Sequence, residues 1–116
     1  MTKVLLADDD LMMVSLLTTL LRMEGFETRS LLDKKGEVLE NIRCDIPDVV
    51  LLDYYLGDRN GVDIVRQMKK TTDLKDIRII MISGIDKSEE CLAAGADDFM
   101  LKPYMPEELF KKLKGE

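Results

Sequence analysis

The pattern that most restricts this chain is an alternation of short apolar runs with segments of helical length. Lys3 to Ala7 (KVLLA), Val49 to Leu52 (VVLL) and Ile77 to Ile82 (IRIIMI) are continuous or nearly so. A strand with one wet face alternates polar and apolar residues, whereas a strand covered on both faces does not. These runs therefore read as interior strands of a parallel sheet. Phe26 to Ser30 (FETRS) and Asp98 to Leu101 (DFML) supply two shorter strands. Helices are expected at Leu11 to Glu24, Lys34 to Arg43, Gly61 (opened by Asn60) to Lys70, Lys87 to Ala94, and from Pro106 onward. Asp10 suits the cap of the first helix and Gly25 its stop, while Pro106 sits where proline is favoured at a helix start. Strict βα alternation with short connections implies a right-handed α/β unit with helices on both faces of the sheet.

Size and composition narrow the field. A chain of 116 residues is long enough for one core and too short for two, so residues 1–116 are read as one domain. A net charge of −6 argues against this domain gripping nucleic acid or an anionic membrane itself. There is no His, and Cys44 and Cys91 lie far apart without CxxC spacing. That pattern excludes a Cys/His metal site and fits two reduced structural thiols in a cytoplasmic protein. The longest apolar stretch, Leu11 to Leu21, is too short for a bilayer, and Asp8 to Asp10 precede it where a signal peptide carries positive charge. It reads as a core helix.

In open α/β sheets, ligands bind beyond the carboxyl ends of the strands. The first strand ends in Asp8-Asp9-Asp10, the third in Asp53, the fourth in Ser83-Gly84 and the fifth in Lys102-Pro103. Each residue alone is ordinary punctuation, since Asp caps helices, and Ser-Gly and Lys-Pro make turns. Together they place several carboxylates, a hydroxyl and an ammonium on one rim. Crowded carboxylates raise one another's pKa unless a cation sits among them. Oxygen ligands without His or Cys favour a hard ion, Mg²⁺ first.

The segments VLLADDD, PDVVLLDYYLGDRNG, IIMISG and GADDFMLKPY resemble, in order and spacing, the signature blocks of response-regulator receiver domains of two-component signal transduction. The resemblance covers nearly the whole chain and implies a flavodoxin-like (βα)5 fold with strand order 2-1-3-4-5. It implies that Asp53 is the phosphoacceptor, with Asp8, Asp9, Asp53 and the carbonyl of Tyr55 holding Mg²⁺. It further implies that Lys102 pairs with Asp53 or its phosphoryl group, that Ser83 is the switch hydroxyl, and that Phe99 is the aromatic residue that turns inward. A face formed by the fourth helix, fifth strand and fifth helix would then be read by partners. Asp10 fits the helix cap better than an outer contact to metal-bound water. The Lys102-Pro103 bond is expected to be cis, as in the family. The implied partners are a histidine kinase or histidine phosphotransfer protein, and an output domain or effector. The domain would be a phosphoacceptor switch that assists its own phosphorylation and dephosphorylation rather than a stand-alone enzyme. Met1 before a complete first strand fits a stand-alone regulator, the N-terminal receiver of a longer protein, or a receiver cut from a hybrid kinase.

Four departures from the common pattern alter the expectations. Gly57 stands where the family often has Pro, loosening the loop without touching the chemistry. Phe99 lacks the hydroxyl of the more usual Tyr. The segment from Ser83 to Gly95 is shorter by roughly one helical turn, which puts dimerisation through that face in doubt. The resemblance implies that the positions of Tyr55 and Ile85, two residues after Asp53 and Ser83, flank the path of an attacking water. A bulky aromatic and a branched apolar residue should obstruct it, so a long-lived phosphoryl group is expected, the alternative being that both merely pack on the surface. Lys111, Lys112 and Lys114 suit the end of the last helix and read as a solvated face, and Asp58, Asp63, Asp73 and Asp76 as turn or helix-start residues. Gly84 would leave room for Ser83 to approach a phosphoryl oxygen. Most of the eight methionines read as core filler, with Met12, Met13, Met100 and Met105 as candidates for a partner surface. A phosphatase with an aspartyl nucleophile is the enzyme alternative, but such hydrolases place a second Asp where Tyr55 stands. An interaction module freed from phosphorylation is the other, and it has no evident need for the complete set Asp8, Asp9, Asp53, Ser83 and Lys102.

Overall fold

The computed structural model describes residues 2–31, 38–57 and 59–115. Five strands form one sheet: β1 (Lys3–Ala7), β2 (Glu27–Ser30), β3 (Val49–Asp53), β6 (Arg78–Ser83) and β7 (Asp98–Leu101). Their order is β2-β1-β3-β6-β7, and every neighbouring pair is parallel. Counting these strands alone, the order is the expected 2-1-3-4-5, and the fold is flavodoxin-like.

Side-chain parity explains why helices cover both faces. Successive residues of a strand point to opposite sides. Leu5, Ala7, Val50, Leu52, Ile79 and Met81 enter one core, which is completed by α2 (Val38–Cys44), α3 (Gly61–Lys70) and α4 (Ser88–Ala94). Val4, Leu6, Val49, Leu51, Ile80 and Ile82 enter the other, under α1 (Leu11–Met23) and α5 (Pro106–Leu113). Full burial of one Leu or Ile side chain contributes about 1.5–3 kcal/mol, so the uninterrupted strands secure both layers at once.

Local signals set the helix ends. The Asp10 side chain accepts from the backbone N of Met12 and Met13, at 3.1 and 3.2 Å, and caps α1 as expected. The Asn60 side chain caps α3 by accepting from Val62 N at 2.8 Å. Gly95, at φ +118°, closes the seven-residue α4 in a left-handed conformation that favours glycine. Boundaries elsewhere differ from the expected ones by one or two residues, where helix ends and strand ends are least sharply defined. Residues 34–37 of the expected second helix, and Asp58, lie outside the described residues.

Several expectations need correction. A two-stranded antiparallel ribbon, β4 (Tyr55–Leu56) with β5 (Arg59–Asn60), follows β3; strands of two residues are too short to show a period. Lys112 is no solvated lysine, since its ammonium lies 3.0 Å from the Asp98 carboxylate, and Lys114 reaches Glu24 at 3.5 Å. Cys91 is buried but Cys44 is exposed, so only one thiol belongs to the core. Met68, Met81 and Met100 are buried, whereas Met12, Met23 and Met105 stand exposed. No described helix is long and apolar enough to cross a membrane.

Candidate functional site

The carboxyl ends of β1, β3 and β7 converge. Asp8 follows Ala7 into a buried position at the end of β1, and one of its oxygens accepts from Asp10 N at 2.9 Å. Asp53 closes β3. Asp8, Asp9 and Asp53 each offer a carboxylate oxygen, and these oxygens lie within 4.8 Å of one another. Lys102, just past β7, places its ammonium 3.4 Å from Asp53 Oδ2 and 3.9 Å from Asp8 Oδ2. The Lys102 backbone N donates to the Ser83 carbonyl at 2.8 Å, joining the ends of β6 and β7, and the Lys102-Pro103 bond is cis.

Burial pushes the Asp53 carboxyl above its ordinary value. The ammonium of Lys102 opposes that shift, the Asp8 carboxylate adds to it, and the Tyr55 backbone N–H, donating to Asp53, opposes it. A rim of carboxylate oxygens with one ammonium holds too little positive charge to balance itself. The oxygen-only donor set of Asp8, Asp9 and Asp53 fits a hard divalent cation.

The other anticipated residues fall into two groups. Ser83 is buried at the end of β6, but its hydroxyl oxygen accepts from Ile85 N at 3.1 Å and is engaged in a local turn. Tyr55 and Ile85 are 56% and 59% exposed, the first tied by its backbone to Asp53 and the second to Ser83. Phe99 is half-buried on β7 and packs against the α3/α4 side of the sheet, away from the carboxylates. Open space surrounds Gly84, and a Cβ there would meet nothing within 4 Å, so packing does not require glycine at that position.

Two further residues bear on the site. Gly57 N donates to Asp9 Oδ2 at 2.8 Å, so the expectation that Gly57 touches no chemistry is wrong. Its φ of +63° is closed to proline and strained for any residue with a Cβ. Gly57→Ala is expected to cost about 1–2 kcal/mol, a fall of roughly 4–8 °C in Tm by calorimetry. Tyr104 is the second, with its hydroxyl buried and lacking a hydrogen-bond partner among the described residues. Burial, then the negative charges of Asp8 and Asp53, push that hydroxyl up to about 12. Its closeness to Lys102-Pro103 in sequence was the only available signal, and an aromatic after a turn is too common to be informative.

Fold and rim together define an open α/β domain with an acidic, lysine-bearing rim at the carboxyl ends of its strands, and comparison with known proteins gives its family. The family model described as "Response regulator receiver domain" matches residues 4–114. The chain belongs to the response-regulator receiver-domain family, whose members act in two-component signalling. It is 33% identical over 115 residues to the DNA-binding response regulator MtrA of Mycolicibacterium paratuberculosis, covering 97% of this chain and 49% of that protein. Its identity to the transcriptional regulatory protein CpxR of Klebsiella pneumoniae is also 33%, over 98% of this chain and 48% of the other. The chain thus spans about half the length of these curated relatives. Among solved structures, chemotaxis protein CheY4 of Vibrio cholerae superposes with a TM-score of 0.87 at 27% identity, covering 99% of this chain and 98% of the other. A response regulator from Chloroflexus aurantiacus gives a TM-score of 0.87 at 26% identity, over 98% and 95% of the two chains.

Proposed function

We propose that Asp53 accepts a phosphoryl group from a phosphohistidine of a histidine kinase or histidine phosphotransfer protein. The observation that carries this reading is the convergence of Asp8, Asp9 and Asp53 within 4.8 Å, with the Lys102 ammonium 3.4 Å from Asp53. A carboxylate oxygen attacks phosphorus weakly unless charge on the transferring group is neutralised. Lys102 lies where it can pair with a phosphoryl oxygen, and the Tyr55 N–H donates to the Asp53 carboxylate. As the Oδ–P bond forms, the P–N bond breaks and the imidazole leaves. Asp8, Asp9, Asp53 and the Tyr55 carbonyl would hold Mg²⁺, which when bound supplies further charge neutralisation to the phosphoryl oxygens.

The acyl phosphate adds charge that neighbours can sense. Ser83 would exchange its turn hydrogen bond with Ile85 N for one to a phosphoryl oxygen, and Phe99 would turn further into the sheet face. The surface of α4, β7 and α5 then changes, and a partner reads it. In this reading the domain is a cytoplasmic switch that assists its own phosphorylation and dephosphorylation. It touches no nucleic acid or membrane itself, and DNA contact would belong to an output module or effector.

Incubation with acetyl phosphate, followed by intact mass measurement, tests the proposal. One phosphoryl group should be gained with Mg²⁺ and none with EDTA. No gain under either condition would leave an interaction module as the better reading.

Tyr55 and Ile85 carry a second expected outcome. Each stands two residues beyond a residue of the site, as a bulky aromatic and a branched apolar side chain, and neither carries a carboxylate or amide to hold an attacking water in line. The phosphorylated protein should survive for minutes or longer, and the double variant Tyr55→Ala/Ile85→Ala should lose its phosphoryl group roughly tenfold faster as water gains access. Phosphate release after removal of the donor measures this, and a half-life of seconds for the unaltered protein would contradict it.

A further inference from the structure

Tyr54, the residue after the acceptor, is held from several directions and carries no role in the chemistry above. It is buried and lies in the bend between β3 and β4. Its backbone N donates to the Ile82 carbonyl at 2.8 Å, and its carbonyl accepts from Gly61 N at 2.7 Å. Its hydroxyl donates to Glu90 Oε2, in the first turn of α4, at 2.9 Å. The Asn60 side chain hydrogen-bonds the same hydroxyl. The Lys87 ammonium, at the cap of α4, sits 5.6 Å from the ring centroid. Adjacent residues on a regular strand point to opposite faces, yet the bend brings the Tyr54 and Tyr55 rings edge to face, 4.7 Å apart at 77°. Tyr55 is exposed and has no other ring contact among the described residues.

We propose that Tyr54 is a positioning residue for phosphoryl-group lifetime: held by Glu90 and Lys87 at the start of α4, its ring fixes the orientation of the Tyr55 ring, two residues beyond Asp53. The inference rests on the reading of Tyr55 as a barrier to water. An exposed tyrosine samples several rotamers, and an edge-to-face partner of fixed orientation biases it toward one. Because Glu90 belongs to α4, that bias depends on where α4 sits. A partner that draws α4 away from Tyr54 shortens the lifetime, and one that binds α4 in place preserves it. By linkage, a phosphoryl group protected by Tyr55 favours the α4 position that makes the Glu90 contact.

The test uses Tyr54→Phe, Glu90→Ala and Glu90→Gln, each with Tyr55 and with Tyr55→Ala. Phosphate release is followed after loading with acetyl phosphate and Mg²⁺, and the loading rate is measured alongside. Tyr54→Phe and Glu90→Ala should speed release about two- to tenfold, the range expected for loss of an aromatic pair's orientation, with loading unchanged. Glu90→Gln retains an oxygen acceptor and should behave as the unaltered protein. In the Tyr55→Ala background none of the three should add to the rate. Unchanged release in Tyr54→Phe and Glu90→Ala, or equal acceleration with Tyr55→Ala present, overturns the proposal. If Tyr55→Ala itself speeds release while those two variants do not, only the clamp fails. If Tyr55→Ala has no effect, the barrier reading fails and the clamp with it.

Discussion

Asp53→Asn is expected to gain no phosphoryl group from acetyl phosphate and Mg²⁺, while its metal-free fold becomes more stable. Both effects have one origin. The Asp53 carboxylate sits at the end of a buried strand, near the Asp8 carboxylate, and burial is the main cause of its raised pKa. The folded state therefore binds that proton more tightly than the unfolded chain, whose value is near 3.8. Ionisation costs the fold nothing below that value. The cost grows as pH rises from the unfolded value towards the folded one, and it is complete once the folded carboxyl has ionised. An uncharged amide removes it, so the variant should melt at a higher temperature than the parent at pH 7. The gain should vanish in a melt at pH 3. Saturating Mg²⁺ should reverse the order, because a ligand at a hundred times its Kd stabilises by about 2.7 kcal/mol and the acidic set binds it best with Asp53 ionised. A variant that is phosphorylated elsewhere, or less stable than the parent without metal at pH 7, would count against Asp53 as the buried acceptor.

What the sequence could and could not show follows from the range of each interaction. Val49 to Leu52 and Ile77 to Ile82 declared themselves because burial on both faces leaves almost no polar positions in a strand, Arg78 at the start of β6 excepted, and the order of the sheet followed from the family resemblance. Asp10 and Asn60 were readable as helix-start residues since a cap is a contact between near neighbours. Asp8, Asp53 and Lys102 were placed on one rim by topology alone, and they do meet there. Contacts across long separations left no local mark. Gly57 looked like a loosened loop, yet its N–H reaches Asp9 across 48 positions. Tyr54 drew no reading of its own from the sequence, and its hydroxyl finds Glu90 across 36. Lys112 was assigned to water because its partner, Asp98, lies on a different element. The ribbon of β4 and β5 is too short for any periodic signal.

Lys102→Ala is expected to slow phosphorylation by acetyl phosphate about a hundredfold, the range found for loss of one preorganised group that meets developing charge. The ammonium, 3.4 Å from Asp53 and 3.9 Å from Asp8, has two opposed effects. It partly neutralises the carboxylates, and so competes with a divalent cation for them; it also meets the charge that the incoming phosphoryl group brings. Removing it should tighten Mg²⁺ binding several-fold, since the acidic set becomes more negative by one charge at close range. Without metal, the variant should lose about 1–3 kcal/mol of stability, because two largely buried carboxylates are left without their counter-charge. Added Mg²⁺ should restore most of that loss but little of the rate. Lys102→Arg should not recover the rate either, because a planar fork cannot take the place of a compact ammonium in so narrow a setting. Titration calorimetry with Mg²⁺ and phosphorylation kinetics on the same variants separate the two effects. Weaker metal binding together with slow phosphorylation would mean that Lys102 supports the acidic set as a structural element, not as the group that meets the phosphoryl charge.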